Sequence, residues 1–545
     1  NTNLAGIQGS IGAIFSTIKK SDGKISNPCF RVAFSGCKNL SGQIPPNLFE
    51  GVYGQPVDKM FQDTFRYCSK LTGEIPEGLL AGVSGKPTSA MFGYTFSGCS
   101  GLTGEIPVDL FAGIKGVPDI ATFAFVFEGC SGLTGEIPTG LFSGVVGKMT
   151  AQLFASTFSG CSGLTGSIPS GLFAGISGAP AIAMFANTFK GCSGLTGPIP
   201  GDLFAGISGA PAVNMFNATF SGCKGLSGSI SSDLFAGISG APAQNMFNTT
   251  FHNCSGLTGL IPADLFAGVS GAPAASMYLS TFAGCSGLTG AIPSGLFGVF
   301  DGAPASSMFN GTFSGCSGLT GAIPGDLFVG ISGKPASNMF ASTFYGCKGL
   351  TGAIPGDLFA GISGAPAGNM YYQTFYGCSG LTGSIPSGLF GVFNGAPAYG
   401  IFYGTFAGCS GLTGEIPAGL FAGIDGAPAE SAFRSTFFGC TGLTGAIPAG
   451  LFSGVHGAPN RYVFYETFEG CSGLTSIPSE LFGNISGDMQ DHMFWDMFNG
   501  CSGLTGESVK INGKYLYEIW PEYRSRAYGG CTNLSDYADM PATWK

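Results

Sequence analysis

The sequence predicts an α/β solenoid, in which one continuous series of short coils stacks along the chain. Two observations lead to this prediction. Cysteines recur at a fixed interval, which is 31 residues at every step from Cys37 to Cys471. Glycine-rich punctuation separates short apolar segments within each interval, and no linker interrupts the series. Because repeated units of this kind bury their apolar faces on their neighbours, we expect about 17 to 18 coils of 31 residues.

The first part of each coil predicts one short parallel strand. In the coil that begins at Cys285, Leu288 and Ile292 are β-compatible residues, and Pro293 closes the segment. The residues that follow, 294–300, carry the apolar pair Leu296 and Phe297 and suit one helical turn or a 3₁₀ segment.

The second part of each coil predicts a further helical segment. Met308, Phe309, Thr312 and Phe313 stand at positions i, i+1, i+4 and i+5, a helical stripe rather than the alternation of a strand. Gly315 follows, as glycine does after a helix. The apolar residues that recur from coil to coil are expected inside, and the positions that vary are expected to face solvent.

The two ends depart from the repeat and set the predicted boundaries. Residues 1–36 form a degenerate first coil, because Asn1 stands where later coils have cysteine. We expect no polar cap before it, so either more protein precedes Asn1 or this end abuts a partner. Residues 37–501 form the repeat solenoid, and the charged, aromatic residues 502–545 form a C-terminal cap.

Composition excludes several classes of function. Charged residues are only 10% of the chain and mean hydropathy is +0.32, which favours an adhesive or self-associating surface. The net charge of -9 argues against nucleic acid, which binds basic surfaces. The absence of a long apolar run predicts no membrane span. No Ser, His or phosphate-binding constellation recurs in register, so we expect no enzyme and no cofactor.

The repeat resembles a known family of microbial surface proteins. Met308-Phe309, Phe313-Ser-Gly-Cys316-Ser-Gly-Leu319-Thr-Gly and Ile323-Pro324 are similar to the BspA-type leucine-rich repeat, and Ile511–Pro521 looks like the ending of a gut-bacterial subgroup. The resemblance covers essentially the whole chain and implies a leucine-rich-repeat-like fold that is secreted or displayed at the cell surface. It implies binding or scaffolding rather than catalysis, and it assigns no ligand.

The cysteine column has two interpretations. Equivalent positions of stacked strands lie about 4.8 Å apart, within reach of a disulfide. However, side chains that point the same way do not face one another, so a reduced, buried column is the favoured interpretation. Pairwise bridging of adjacent coils is the alternative. Cys29 falls where other coils have methionine and is interpreted as a small buried hydrophobic residue.

Three columns of variable residues are candidate sites. Tyr372, Tyr403, Arg434 and Tyr465 share one position, and Tyr345 and Tyr376 share another, which suggests a partner-binding stripe of aromatic and arginine side chains. Ordinary, partly exposed residues are the alternative.

The third column concerns ions, and earlier members of the Tyr372 column concern sugars. Glu74, Glu105 and Glu136 occupy one outward position on successive coils and are a candidate Ca²⁺ site, with solvated carboxylates as the alternative. Another set begins Asn-x-Thr sequons and is a candidate for glycosylation in a eukaryotic secretory context. The members of this set are Asn217, Asn248 and Asn310.

Two functions follow from these features. The first is an extracellular structural protein that self-assembles into a fibre or layer, by head-to-tail polymerisation or lateral association. The second is an adhesin that binds a host or microbial protein or glycan along its variable face. The two functions are compatible, since a fibre can adhere.

Overall fold

The structure is a computed structural model that describes residue 6 and residues 30–488, 490–521, 523 and 525–545. Contacts divide the chain into two units: Asn1–Val269 with Gly284–Leu288, and Ser270–Ala283 with Thr289–Lys545. Each unit is described by itself below. The predictions for Asn1 and Cys29 lie outside the described residues, and the boundaries predicted at 36 and 501 stay a prediction.

Parallel backbone pairing joins consecutive coils within each unit, which confirms the predicted short parallel strands. The pairing differs from the prediction in forming two columns rather than one. In the first unit, Gly228 pairs with Leu257 in one column, and Gly85 pairs with Ile114 in the other. The same two columns recur in the second unit. Most of these pairings involve a single residue on each side.

Where the pairing is longer, it forms short regular elements. The parallel pairs are β1 (Gly147–Lys148) with β2 (Ile176–Ser177), β3 (Ser270–Gly271) with β4 (Val299–Phe300), β5 (Ser363–Gly364) with β6 (Val392–Phe393), and β7 (Gly445–Ala446) with β8 (Leu474–Ser476). The remaining elements are the antiparallel strands β9 (Lys510–Ile511) and β10 (Lys514–Tyr515), the helix α1 (Leu516–Ile519), and two 3₁₀ helices at Ser232–Phe235 and Tyr537–Asp539.

The helical segment predicted at Met308–Phe313 is wrong. Across the described repeats, the equivalent segment is a run of turns. Before residue 502, the described residues form one helix of any kind, the 3₁₀ helix Ser232–Phe235, which lies in a different part of its coil. Alternate amides donate to the next coil, as Phe61 N does to the carbonyl of Met91 and Asp63 N to that of Gly93, both at 2.8 Å. The amides between them close turns within the coil, so Thr64 N donates to the carbonyl of Phe61 at 3.2 Å.

A left-handed residue at every fourth position explains why the spacing mimics a helix. Lys59, Asp63 and Tyr67 have φ of 61°, 57° and 62°, and the same positions recur in later coils. The four-residue turn period places apolar side chains at i, i+1, i+4 and i+5 on one side. An α-helix would retain its N–H groups for its own ladder, whereas the turns leave every second N–H for the neighbouring coil.

Threonine and cysteine side chains add hydrogen bonds between coils. The Thr374 hydroxyl donates to the carbonyl of Phe340 at 3.0 Å, and the Cys378 thiol donates to the carbonyl of Phe344 at 2.9 Å. Both side chains are fully buried, and the same two bonds recur in both units. These buried hydroxyls and thiols therefore have partners, which avoids the desolvation cost of burying them alone.

Aromatic columns fill the interior of both units. In the first unit, Phe158 and Phe189 stack with centroids 5.7 Å apart and ring planes 6° from parallel. In the second, Phe375 and Phe406 stack at 5.8 Å and 4°. Rings of a second column pack at steeper angles against the first, as Phe390 and Phe406 do at 47°. Burial of these rings, together with that of the Leu, Ile and Met side chains, stabilises the contact between coils.

Glycine is required at positions where consecutive coils approach closely. A Cβ built on Gly442 would lie 2.4 Å from the carbonyl oxygen of Leu412 and 2.7 Å from that of Ser410. The corresponding glycines of other coils would place a Cβ at 2.4–2.5 Å from the preceding leucine carbonyl. These glycines are Gly101, Gly132, Gly163, Gly194, Gly225, Gly256, Gly287, Gly349, Gly380, Gly411 and Gly473.

Valine replaces glycine twice in a second glycine column of the second unit. Val299 and Val392 stand in the register where Gly268 and Gly361 stand in other coils. The glycines before them, Gly298 and Gly391, adopt φ of 72° and 77°. The valines belong to β4 and β6, and their side chains remain 67% and 70% exposed.

The C-terminal residues accept hydrogen bonds from the last coil. Arg526 N donates to the carbonyl of Thr543, and Tyr528 N donates to that of Trp544, both at 2.9 Å. In earlier coils, the equivalent amides donate to the next coil. Trp544 is fully buried against this coil, with its ring 6.4 Å from that of Tyr528.

The glycine contact gives a matched pair of substitutions. Gly442→Ala introduces a Cβ into the space of two backbone carbonyls and should lower the free energy of unfolding by about 1–3 kcal/mol. Gly450→Ala, where no atom lies within 4 Å of the added Cβ, should change it by less than about 0.5 kcal/mol. Urea unfolding of the two variants compares them, and equal losses would contradict the close approach.

The cysteine column predicts unreactive thiols. All 17 cysteines from Cys37 to Cys531 are free and buried, and burial raises the pKa of thiols such as Cys347 and Cys440 to about 12. Little thiolate therefore exists at pH 8. Native protein should leave these 17 thiols unmodified by iodoacetamide, and reagent in denaturant should modify them all. Intact mass distinguishes this result from bridged pairs, which would stay unmodified in both conditions.

Candidate partner-binding surface

The structure brings the predicted tyrosines of the second unit together. Tyr345 and Tyr376 stack with centroids 4.8 Å apart and planes 9° from parallel. Tyr372 and Tyr403 meet edge to face at 4.8 Å and 81°. Burial raises the pKa of Tyr372, and the nearby Tyr403 and Tyr345 raise it further. The two columns therefore lie close enough to interact electrostatically. We call Tyr345, Tyr372, Tyr376, Tyr403, Arg434 and Tyr465 the aromatic strip.

Arg434 lies among three tyrosine rings. Its guanidinium carbon is 4.4 Å from the ring centroid of Tyr465, 5.0 Å from that of Tyr403 and 5.4 Å from that of Tyr462. The cation is attracted to the negative faces of the rings, and this attraction strengthens where water is excluded. Among the residues that the structure describes, no carboxylate forms an ion pair with this guanidinium.

The strip presents ring edges and hydroxyls to solvent. Stacking occupies the ring faces that Tyr345 and Tyr376 turn toward each other. Within the described residues, the hydroxyls of Tyr345, Tyr372, Tyr376 and Tyr403 form no hydrogen bond to the protein. Tyr345 is 36% exposed and the other three are half-buried. The surface thus combines apolar edges with hydrogen-bonding groups that remain available to a ligand.

Sequence reasoning missed the residues that continue this surface. Tyr462 stacks on His492 at 5.4 Å, and His492 lies 4.6 Å from Trp495. Tyr462 and His492 share a register in the repeat, three residues before Tyr465 and Trp495. Reading two neighbouring columns together, rather than one column at a time, would have identified them.

A smaller cluster of the same composition occurs in the first unit. Arg66 lies 4.2 Å from the ring centroid of Tyr94 and 4.8 Å from that of Tyr67, and Tyr94 stacks on Phe125 at 4.3 Å. Arg66 Nη1 also donates to Asp63 at 3.0 Å, and Nη2 donates to the Tyr67 hydroxyl at 3.2 Å. Arg66 occupies the same repeat position as Tyr345 and Tyr376.

Three carboxyl groups lie beside the C-terminal end of the strip. Burial, together with the charges of Glu466 and Asp496, raises the pKa of Glu469 to about 7. Glu466 accepts a hydrogen bond from the Ser435 hydroxyl at 2.9 Å. Burial also raises the pKa of Asp496, although Arg526, whose Nε lies 3.4 Å away, opposes this effect.

The predicted glutamate column lies on the outside of successive coils. Glu74, Glu105 and Glu136 are exposed, and the stem of each covers a glycine of the next coil, as Glu74 covers Gly104. Among the described side chains, no group of three or more His, Cys, Asp or Glu residues is placed to hold a metal ion. Calcium binding at these glutamates stays an untested prediction.

The predicted sequons lie on half-buried backbone. The Asn217 amide donates to Asn214, and that of Asn248 to Asn245, both at 3.4 Å, and Asn310 is half-buried. The sequon threonines are fully buried, and each hydroxyl donates to a carbonyl of the preceding coil. The threonine of each sequon thus contributes an inter-coil hydrogen bond to the fold, and glycosylation stays a prediction.

Comparisons with known proteins do not assign the chain to a family. No protein-family model matches it, and no curated protein matches it. Among the described residues, no helix is long and apolar enough to cross a bilayer.

Solved structures give only distant likenesses. A leucine-rich cell surface protein of Faecalibacterium prausnitzii A2-165 is 17% identical, covers 65% of this chain and 88% of its own, and has a TM-score of 0.26. The Arabidopsis receptor kinase HAESA, in complex with the peptide hormone IDA and the co-receptor SERK1, is 14% identical over 87% of this chain and 72% of its own, with a TM-score of 0.18. Identities and TM-scores this low assign neither fold nor function.

The carboxyl cluster predicts a pH dependence of stability. The pKa of Glu469 is near 7 in the folded state and lies near its ordinary value in the unfolded state, so the folded state binds more protons between those pH values. Its contribution to stability is therefore present at low pH and decreases as pH rises toward and through 7. Glu469→Gln should remove this part of the decrease in melting temperature between pH 5 and 8.

The control is Glu480→Gln, a change at an exposed carboxyl outside the cluster. It should preserve the wild-type slope of melting temperature against pH. A Glu469→Gln variant with that same slope would show that folding does not raise the pKa of Glu469.

Proposed function

We propose that this chain is a secreted or surface-displayed binding protein, of the leucine-rich-repeat-like kind that its repeat resembles, and that its aromatic strip binds a protein or glycan partner. The observation that carries the proposal is the strip itself. Four tyrosines with unused hydroxyls and one arginine lie together on the outside of consecutive coils. Tyrosine and arginine are the residues on which binding energy concentrates at interfaces.

The buried core supports this role because its contacts hold the coils in place without involving the side chains of the strip. Each coil is held to the next by backbone, threonine and cysteine hydrogen bonds and by stacked phenylalanines. A rigid scaffold lowers the entropy lost when its surface groups bind a partner. The side chains on the outside can therefore differ from coil to coil while the core stays the same.

Substitution of the strip tests this proposal. Labelled protein should bind to host epithelial cells, extracellular matrix or microbial cells, and the combined variant Tyr372→Ala, Tyr403→Ala and Tyr465→Ala should lose at least about tenfold in affinity. Tyr53→Ala, at a 51% exposed tyrosine of the first unit, is the control and should bind as wild type does. Undiminished binding by the triple variant would eliminate the strip as the binding surface.

Self-association into a layer or fibre is the second candidate. Val299 and Val392 place exposed apolar side chains on the second unit, and only 10% of the residues are charged. The carbonyls of Thr543 and Trp544 already accept the hydrogen bonds that the amides of the last coil would otherwise donate to another coil. Lateral association is therefore favoured over stacking of a second molecule on this coil.

Electron microscopy and sedimentation test the second candidate. Wild type should form ordered assemblies at low salt, and the double variant Val299→Ser and Val392→Ser should shift them toward monomer. Dispersed wild-type monomers under all native conditions would remove this candidate.

A further inference from the structure

Arg434 is a half-buried cation whose hydrogen-bonding groups are unused. Among the described residues, its side chain forms no ion pair and donates no hydrogen bond. Its Nε atom is buried without an acceptor. A guanidinium has five N–H donors arranged in a planar fork. The three surrounding tyrosines offer ring faces to the cation, and a ring face accepts only weak hydrogen bonds.

Arg66 shows how the same arrangement is completed within the chain. It also lies over two tyrosine rings, but Asp63, three residues earlier, pairs with it at 3.0 Å. The residue three before Arg434 is Ser431, which supplies no charge. One cluster therefore contains its own carboxylate, and the other holds the cation in place and lacks the carboxylate.

We propose that the partner of the aromatic strip is a peptide segment, and that one carboxylate of this segment pairs with Arg434. The inference rests on the proposed function of the strip. A carboxylate receives two parallel hydrogen bonds from a guanidinium fork, and such charge-assisted bonds are stronger than neutral ones. The peptide chain on either side of the carboxylate contacts the ring edges of Tyr403 and Tyr465 and the hydroxyl of Tyr403.

The charge around the strip selects an isolated carboxylate over a polyanion. Arg434 is the one cation of the strip, and Glu466, Glu469 and Asp496 lie on the adjoining coils. The chain as a whole carries a net charge of -9. A sulfated or uronate-rich polysaccharide would bring its further charges against these carboxylates and be repelled. A peptide with a single Asp or Glu among uncharged residues avoids this repulsion.

A random peptide display library, selected on the full chain, provides the test. The enriched peptides should share one Asp or Glu with few other charges. A synthetic enriched peptide should bind wild type at least ten times more tightly than Arg434→Gln, and Arg434→Lys should recover part of the loss. Arg66→Gln is the matched control, and its affinity should equal that of wild type.

A double-mutant cycle assigns the contact, because replacing the peptide carboxylate with an amide should weaken wild-type binding and leave Arg434→Gln binding unchanged. The melting temperatures of Arg434→Gln and Arg434→Lys show whether either variant loses the fold. If Arg434→Gln does not fold, binding by Arg434→Lys and binding of the amide peptide to wild type still test the contact.

The possible outcomes separate this inference from the proposed function. Peptides that require the strip tyrosines but bind Arg434→Gln as well as wild type would overturn the carboxylate pairing and leave the strip as a binding surface. Peptides that bind the triple tyrosine variant undiminished would overturn both, as would a library without enriched peptides. Dextran sulfate that binds through Arg434 more tightly than the enriched peptide would assign the site to polyanions and overturn the inference.

Discussion

The close approach of consecutive coils is the constraint on which the rest of the structure depends. Backbone carbonyls of one coil lie where a Cβ of the next would be, as at Gly442 against Leu412. The short distance between consecutive coils brings the alternate amides of each turn segment within hydrogen-bonding range of the next coil. It also places the phenylalanine rings in contact. The Thr and Cys side chains reach carbonyls of the preceding coil for the same reason. A larger separation would lose all these contacts together.

Turns, rather than helices, follow from that constraint. A helix is about 10 Å wide with its side chains and retains its own amides, so it fits poorly in coils that lie as close as paired strands. The turn segment accepts left-handed residues at positions such as Asn214 and Thr249, with φ of 57° and 52°. Each such non-glycine residue costs on the order of 1 kcal/mol. The hydrogen bonds and ring contacts to the neighbouring coil offset this cost.

The features that the sequence could predict are those that depend on side-chain type at a fixed register. The period of the cysteines, the buried Leu, Ile, Phe and Cys columns and the short parallel pairing all follow from residues that recur, such as Cys378 and Leu381. The turn segment did not follow, because the four-residue turn period places Met308 and Phe313 where a helix would also place them. Repeated Asn and Ser at the left-handed positions, among them Asn338 and Asn369, were a signal for this conformation.

The candidate surface was only partly predictable for a related reason. Tyr372, Tyr403, Arg434 and Tyr465 share a column, so their proximity follows from the register. Tyr462 contacts Arg434 from a different column, and this contact depends on how the turn segment orients the two columns toward each other. Ser431 stands three residues before Arg434, as Asp63 stands three residues before Arg66. The absence of a carboxylate at Ser431 could be interpreted only after the structure placed both arginines over tyrosine rings.

Far-UV circular dichroism of the full chain tests the central structural claim most directly, since the account places inter-coil turns where the spacing suggests helices. Among the described residues, α-helix is limited to the four residues Leu516–Ile519. The account therefore predicts a spectrum without the double minimum of an α-helical protein. A strong helical double minimum, corresponding to a helical segment in every coil, would contradict it.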